Sequence, residues 1–182
     1  MPPEARLEQT DAGLRPTGAG WFVLNAEDAA WRSHELFGAT CAFEGEPEFP
    51  QLGFRVKVLW PGQPNGMYHS ESDQEDFLVV AGECLLLIEG EERRLKPWDF
   101  VHCPSGTEHI FVGSGTEPCV IVMAGARTPD GTIRYAPSEL ARAHGASVEE
   151  ETGLPSEAYA RFPPWEPRPA PRGVLPSTPP GA

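Results

Sequence analysis

The residues best equipped for chemistry fall in two short stretches. From Tyr68 to Gly82 the chain reads YHSESDQEDFLVVAG and offers His69, Glu71 and Glu75; from Trp98 to Gly113 it reads WDFVHCPSGTEHIFVG and offers His109. Residues i and i+2 of a strand point to one face, so His69 and Glu71 project together if this stretch is a strand. Glu75 follows after a short bend and opens an alternating run that ends at Gly82. Two imidazoles with one or two carboxylates, gathered inside a β-structure, are donors that a divalent transition metal takes. With Glu71 bound, two carboxylates balance the charge of the ion. Without it, His69, Glu75 and His109 form the two-histidine, one-carboxylate set typical of non-haem Fe(II) oxygenases, and Glu71 becomes a candidate catalytic base beside the metal. We take Glu71 as a ligand, with the base role as the alternative. The blander readings are core histidines satisfied by hydrogen bonds and carboxylates that simply face water.

The spacing His69-x-Glu71-x3-Glu75-x6-Gly82 resembles the first motif of the cupin superfamily, His-x-His-x3 or x4-Glu-x6-Gly. Pro104-x-Gly106-x2-His109 resembles the core of the second cupin motif, and the gap between the two is short, as in compact bacterial cupins. The chain departs from the pattern at several points. Glu71 replaces the second histidine of the first motif. Trp98 replaces the glycine that opens the second, although Asp99 keeps the usual acid. Gly113 replaces the closing asparagine, and Gly62 lies one residue further from His69 than usual.

The resemblance implies an all-β jelly-roll barrel (a double-stranded β-helix). It implies a divalent metal ion (Fe, Mn or Zn) held by His69, Glu71, Glu75 and His109. It also implies a small organic ligand in the barrel and pairing of two chains through their sheets. The activity implied is of the metal-dependent oxygenase or isomerase type. The alternative is a non-catalytic, metal-containing module that binds a small ligand. A third reading, a partner-binding protein, would use the proline-rich C-terminal segment. Fold alone does not choose a reaction.

The elements that position these residues read as short strands between Gly or Pro turns. Strands are expected over 21–24, 39–43, 53–60, 77–80, 83–88, 93–95, 100–103, 109–112, 119–124 and 132–135. In 53–60, Phe54, Val56, Val58 and Trp60 alternate with Arg55, Lys57 and Leu59, the pattern of a strand with one buried face. Residues 25–37 suggest a helix or turn, and Ser138 to His144 and the stretch after Ser147 suggest short helices. The domain layout expected is a mobile arm over 1–20, a barrel over 21–135, a short helical extension over 136–162 and an extended or disordered Pro-rich tail over 163–182.

The chain of 182 residues carries a formal charge of −13, which argues against a nucleic-acid partner. No apolar run reaches membrane-spanning length, and the N-terminus has no signal-peptide h-region, so a cytoplasmic location is expected. Cys41, Cys84, Cys103 and Cys119 form no Cys-x-x-Cys pair and read as reduced, buried thiols. Lys and Arg are absent from both motifs, so the pocket edge is expected to be acidic and to disfavour multiply anionic substrates. Phe77, Val79 and Phe111 are expected to line that pocket and make it largely apolar. Tyr68 is expected to pack, Gln74 to orient a ligand carboxylate, His102 to be buried and locally bonded, and Cys103 to be unreactive. The acidic run from Glu71 to Asp76 lacks the glycine and flanking helices of an EF-hand.

Overall fold

Period-two alternation dictates most of the architecture seen in the computed structural model, which describes residues 1–46 and 48–176. The chain begins with a hairpin, β1 (Arg6–Thr10) and β2 (Gly13–Thr17), in the stretch expected to be a mobile or draped arm. Backbone hydrogen bonds rather than apolar side chains tie it down: Ala5 N donates to Trp21 O at 2.9 Å and Leu14 N to Asp28 O at 2.7 Å. The apolar run 21–24 forms no strand; Trp21 makes a single bridge to Glu4, and Val23 is exposed. The expected helix or turn over 25–37 divides. Asn25 Oδ1 accepts from Glu27 N at 2.9 Å to make a turn, and the chain then enters β3 (Trp31–His34), where Trp31 is buried.

The central strands follow within two residues of their expected bounds, apart from β6, for which no bounds were set. They are β4 (Gly38–Cys41), β5 (Leu52–Leu59), β6 (His69–Glu71), β7 (Glu75–Ala81), β8 (Glu83–Ile88), β9 (Glu91–Leu95), β10 (Phe100–Cys103), β11 (His109–Ser114), β12 (Cys119–Ala126) and β13 (Ile133–Tyr135). Two single-turn helices come next: α1 (Glu139–Arg142), whose first turn Ser138 caps by accepting from Ala141 N, and α2 (Pro155–Ala158), opened by a proline.

The proline-rich segment is not a free tail over its described part. Its β14 (Glu166–Arg168) pairs antiparallel with β3, and Ala170, Val174 and Leu175 pack on a buried cluster. Pro167 is tolerated because β14 is an edge strand, where a missing N–H is not needed by a further neighbour. The rest of the expected tail, 177–182, lies outside the described residues.

A seven-stranded sheet in the order β10-β7-β12-β5-β4-β3-β14 faces a five-stranded sheet in the order β13-β6-β11-β8-β9. All strand pairs are antiparallel. Leu59, Phe77, Val79 and Ile121 of the larger sheet pack against Leu86 and Phe111 of the smaller one. This is the double-sheet jelly roll.

Strand β5 is buried on both faces of its second half. Val56 and Val58 join Trp31, Ala39 and Cys41 in a cluster roofed by the C-terminal segment, so the apolar face points away from the barrel interior. The opposite face, carrying Arg55, Lys57 and Leu59, points inward.

Motif positions kept and changed both have local causes. Gly82, which keeps the motif residue, has φ +66, and a Cβ there would lie 2.3 Å from Pro118 O. At Gly113 a Cβ would lie 2.3 Å from Trp60 O, so the asparagine of the usual motif does not fit. Trp98 holds φ +76 in a turn closed by Asp99 N donating to Lys96 O at 3.1 Å, a position where glycine is the unstrained choice. All four cysteines are free and buried. Among the described residues, no helix is long and apolar enough to cross a membrane.

Candidate metal centre

Both histidines come from the smaller sheet. His69 on β6 pairs directly with His109 on β11, and their ring centroids are 4.9 Å apart. Glu75 opens β7 on the facing sheet, so the three side chains meet between the layers. Their ligand atoms all lie within 4.8 Å of one another. Glu75 Oε2 is 3.4 Å from His109 Nε2 and 4.0 Å from His69 Nε2.

The tautomers are fixed by the backbone. His69 Nδ1 donates to Met67 O at 2.7 Å, and His109 Nδ1 donates to Thr107 O at 3.0 Å. Each imidazole therefore turns its Nε2 lone pair towards Glu75, the arrangement that metal-binding histidines adopt. Burial, then the neighbouring His109, lowers the pKa of His69 to about 4; burial lowers that of His109 as well. Both rings are neutral near pH 7, as ligation requires. Burial, then the adjacent Glu71, pushes Glu75 up to about 8. A carboxylate that prefers its proton when the site holds no cation is one that a cation would stabilise. The donor set thus fits a divalent metal.

Glu71 stands at the rim. Its Oε1 is 3.9 Å from His69 Nε2, but it is not one of the three residues whose ligand atoms all converge. Its side chain is 32% exposed, against 16% for Glu75 and 1% for His109. Burial raises its pKa, and Arg55 opposes the rise.

The site opens into a cavity of about 460 Å³. Its lining corrects the expectation of an acid-edged, largely apolar pocket. Phe77 is there, but Val79 and Phe111 lie in the packed core, and Arg32, Arg55, Lys57 and Arg127 all face the cavity. Sequence reasoning read Arg55 and Lys57 as the solvent side of β5, whereas that side is the barrel interior. Arg127 is engaged by Glu44, with Nη1 to Oε1 at 2.6 Å and Nη2 to Oε2 at 3.2 Å.

Tyr135, Tyr159 and Trp165 also line the cavity, and the sequence reading missed them because they follow both motifs. Tyr135 pairs with His69 across β13 and β6, and Tyr159 Oη accepts from Met67 N at 2.9 Å.

Of the other residues singled out, Tyr68 is buried in the core as expected, and burial pushes the Cys103 thiol up to about 12. Gln74 instead donates to Asp76 at 2.6 Å and touches no ligand carboxylate. His102 is exposed rather than buried, with Nδ1 2.7 Å from Asp76 Oδ1, because its face of β10 at the sheet edge is uncovered.

The family model described as "Cupin domain" matches residues 55–125, a segment that contains His69, Glu71, Glu75 and His109. The chain carries a cupin domain. Three solved structures show how the fold compares. KdgF from Halomonas sp. is 26% identical over 62% of this chain and 98% of its own, with a TM-score of 0.50. The polyketide cyclase RemF from Streptomyces resistomycificus is 13% identical over 61% of this chain and 83% of its own, with a TM-score of 0.52, a likeness of fold alone. A sugar phosphate isomerase of the cupin superfamily from Silicibacter pomeroyi is 25% identical over 60% of this chain, with a TM-score of 0.48; the match spans 66% of that protein, just under two thirds of its length. Among curated protein sequences, none matches this cupin.

Proposed function

We propose that this cupin holds one divalent metal ion, Fe, Mn or Zn, through His69 Nε2, His109 Nε2 and a carboxylate oxygen of Glu75, and acts on a small organic molecule in the adjoining cavity. The observation that carries this reading is the convergence of the three ligand atoms within 4.8 Å at the cavity wall. A bound divalent ion there supplies Lewis-acid polarisation or, if it is iron, oxygen chemistry, which places the activity in the isomerase or oxygenase class.

The protein's own residues do the rest. The backbone bonds of His69 and His109 keep both Nε2 atoms unprotonated. Phe77 packs against the His109 ring at 5.1 Å and excludes water from that side. Glu71, at the cavity edge with a raised pKa, takes and returns a proton at Oε1. A second reading rests on the 3.9 Å approach of Glu71 to His69 Nε2. If Glu71 binds the ion as a fourth protein ligand, the site closes and the cupin is a metal-containing binding module.

Elemental analysis of the full chain, purified without chelator or a nickel column, tests the site. Near one metal per chain in the parent, lost in His69→Ala and His109→Ala, is the expected result. A parent that carries no metal and takes up none of Fe(II), Mn(II) or Zn(II) refutes it. Glu71→Gln separates the two readings: full metal content with lost turnover marks a base, and lost metal marks a ligand.

A further inference from the structure

The cavity has a second chemical end. Sheet register places it: Arg32 on β3 pairs with Thr40 on β4, and Thr40 pairs with Lys57 on β5. The same row continues through Ile121 on β12, which lies in the core between the sheets, so this row faces inward. Arg55 is two residues from Lys57 on the same strand and therefore on the same face. All three cations line the cavity that holds His69, Glu75 and His109.

Lys57 is only 4% exposed. Its nearest described partner is the Trp165 ring, with Nζ 4.4 Å from the centroid, which attracts a cation but does not neutralise it. Among the described residues, no carboxylate lies within 4.0 Å of the side-chain nitrogens of Arg32, Arg55 or Lys57. The contrast with Arg127 is direct, since Arg127 lines the same cavity and is neutralised by Glu44. Of the three only Lys57 is buried, and burial, then Arg55 and Arg32, holds its pKa well below the usual lysine range. A buried ammonium is retained when it is paired, and the protein itself offers this group of basic side chains no counter-charge, whereas an anion in the cavity would supply one.

The structure assigns Arg32, Arg55 and Lys57 as an oxyanion subsite, so that the small molecule taken by this cupin carries a carboxylate or phosphate group. The inference rests on the proposed small-molecule site and adds the class of ligand to it. Along the sheet, Arg55 and Glu75 are separated by β12, about 10 Å across the strands. A ligand anchored by its anionic group at the cationic end thus reaches the metal-binding end with the remainder of a short carbon skeleton, consistent with the cavity of about 460 Å³. The cations come from β3 and β5, outside the histidine motifs. The expectation drawn from those motifs, that multiply anionic substrates are disfavoured, took no account of these cations.

The test is isothermal titration calorimetry on the full chain stripped of metal by chelator, at fixed chloride concentration. Inorganic phosphate and butyrate, a monocarboxylate, are the probes and glycerol is the neutral control. One of the two anions is expected to bind, and glycerol is not. Phosphate preferred over butyrate assigns a phosphorylated ligand; the reverse assigns a carboxylic acid. Arg55→Gln and Lys57→Met are each expected to weaken binding at least tenfold. Arg32→Gln and Arg55→Gln change residues that are exposed at the mouth, and so keep the test open if Lys57→Met does not fold. His102→Ala, exposed and outside the cavity, is expected to bind the anion as the parent does. Failure of both anions to bind, or undiminished binding by Arg55→Gln, overturns the subsite even if the parent proves to hold metal. Anion binding by a chain that held no metal before stripping and takes up none of Fe(II), Mn(II) or Zn(II) leaves the subsite standing and removes the metal reading instead.

Discussion

Glu75→Gln gives the sharpest test of the electrostatics at the metal centre, because its effect has a sign that depends on pH. In the metal-free protein, burial and Glu71 raise Glu75 from an ordinary 4.5 to about 8. A carboxyl raised on folding keeps its proton in the native state while the unfolded chain has lost it. Its contribution to stability is therefore complete below 4.5 and is lost as pH rises to 8. The shift of 3.5 units corresponds to about 5 kcal/mol at most, at 1.36 kcal/mol per unit. Below 6.5 this loss is offset. His69 is lowered from 6.5 to about 4, so over that interval the unfolded chain binds the extra proton and stability rises with pH; His109 acts in the same direction. Above 6.5 the carboxyl contribution is opposed by Lys57, whose pKa burial, then Arg55 and Arg32, lowers well below 10.5, so only the comparison with Glu75→Gln isolates it.

Measured against Glu75→Gln, the chelator-stripped parent should therefore lose about 2 kcal/mol between pH 6.5 and 8, at 1.36 kcal/mol per pH unit. For a domain of this size that is a fall in Tm of about 4–8 °C. In Glu75→Gln the decline should largely vanish, leaving the smaller contribution of Glu71, whose pKa is also raised by burial. Urea denaturation followed by circular dichroism at half-unit steps from pH 5 to 8.5 reads both curves. Parallel curves for the parent and Glu75→Gln would refute the reasoning, because Glu75 would then be ionised in the empty site at neutral pH. Added Zn(II) should reverse the slope for the parent, since a bound ion displaces the proton and gains as pH rises.

Restoring the usual motif residue should damage the fold at one position. In Gly113→Asn the new Cβ meets the backbone oxygen of Trp60 at 2.3 Å, so the end of β5 must move; we expect a loss of about 2 kcal/mol by thermal denaturation, and an unchanged Tm would show that this segment yields freely. The four thiols should be inert in the native state. Burial raises Cys41 to about 11 and Cys103 to about 12, and the mutual Cys84–Cys119 contact with burial raises Cys84 further. A thiol reagent at pH 8 should label none of the four before unfolding and all of them after it; labelling of the native protein would refute their burial.

Strand alternation made β5, β7, β8, β10, β11 and β12 legible in the sequence, because each spends at least one face on the core and its ends are marked by Gly or Pro. The two histidines and Glu75 were legible for a related reason: their spacing is set by the same strands and turns. What escaped has little side-chain pattern to read. The β1–β2 hairpin is polar on most positions and is held by backbone bonds to residues around 21 and 28. The β14 strand contains a proline and three exposed residues, and only its pairing with β3 reveals it. Tyr159 and Trp165 reach the cavity through contacts about ninety residues or more from their partners Met67 and Lys57, which no local window contains.

The electrostatics of the cavity were misread for a different reason. The chain has 14 Lys and Arg against 27 Asp and Glu, and that excess describes the average surface. Yet four of the cationic side chains, Arg32, Arg55, Lys57 and Arg127, line one cavity. Strand β5 produces this result by presenting its valines outward. Val56 and Val58 are covered by Trp31, Ala39 and the C-terminal segment, which consumes the apolar face and leaves Arg55 and Lys57 to the interior. Arg55 then acts on both ends of the cavity. It opposes the rise that burial gives Glu71 and Glu75 on one side, and adds to the fall that burial gives Lys57 on the other. The cavity is thus polarised, with carboxylates at the metal-binding end and cations opposite. A ligand that presents an oxyanion to the cations and a neutral oxygen to the metal-binding end satisfies both ends at once. A dianion that placed a charge at each end would meet Glu71 and Glu75 and be disfavoured there unless a bound cation reversed the sign.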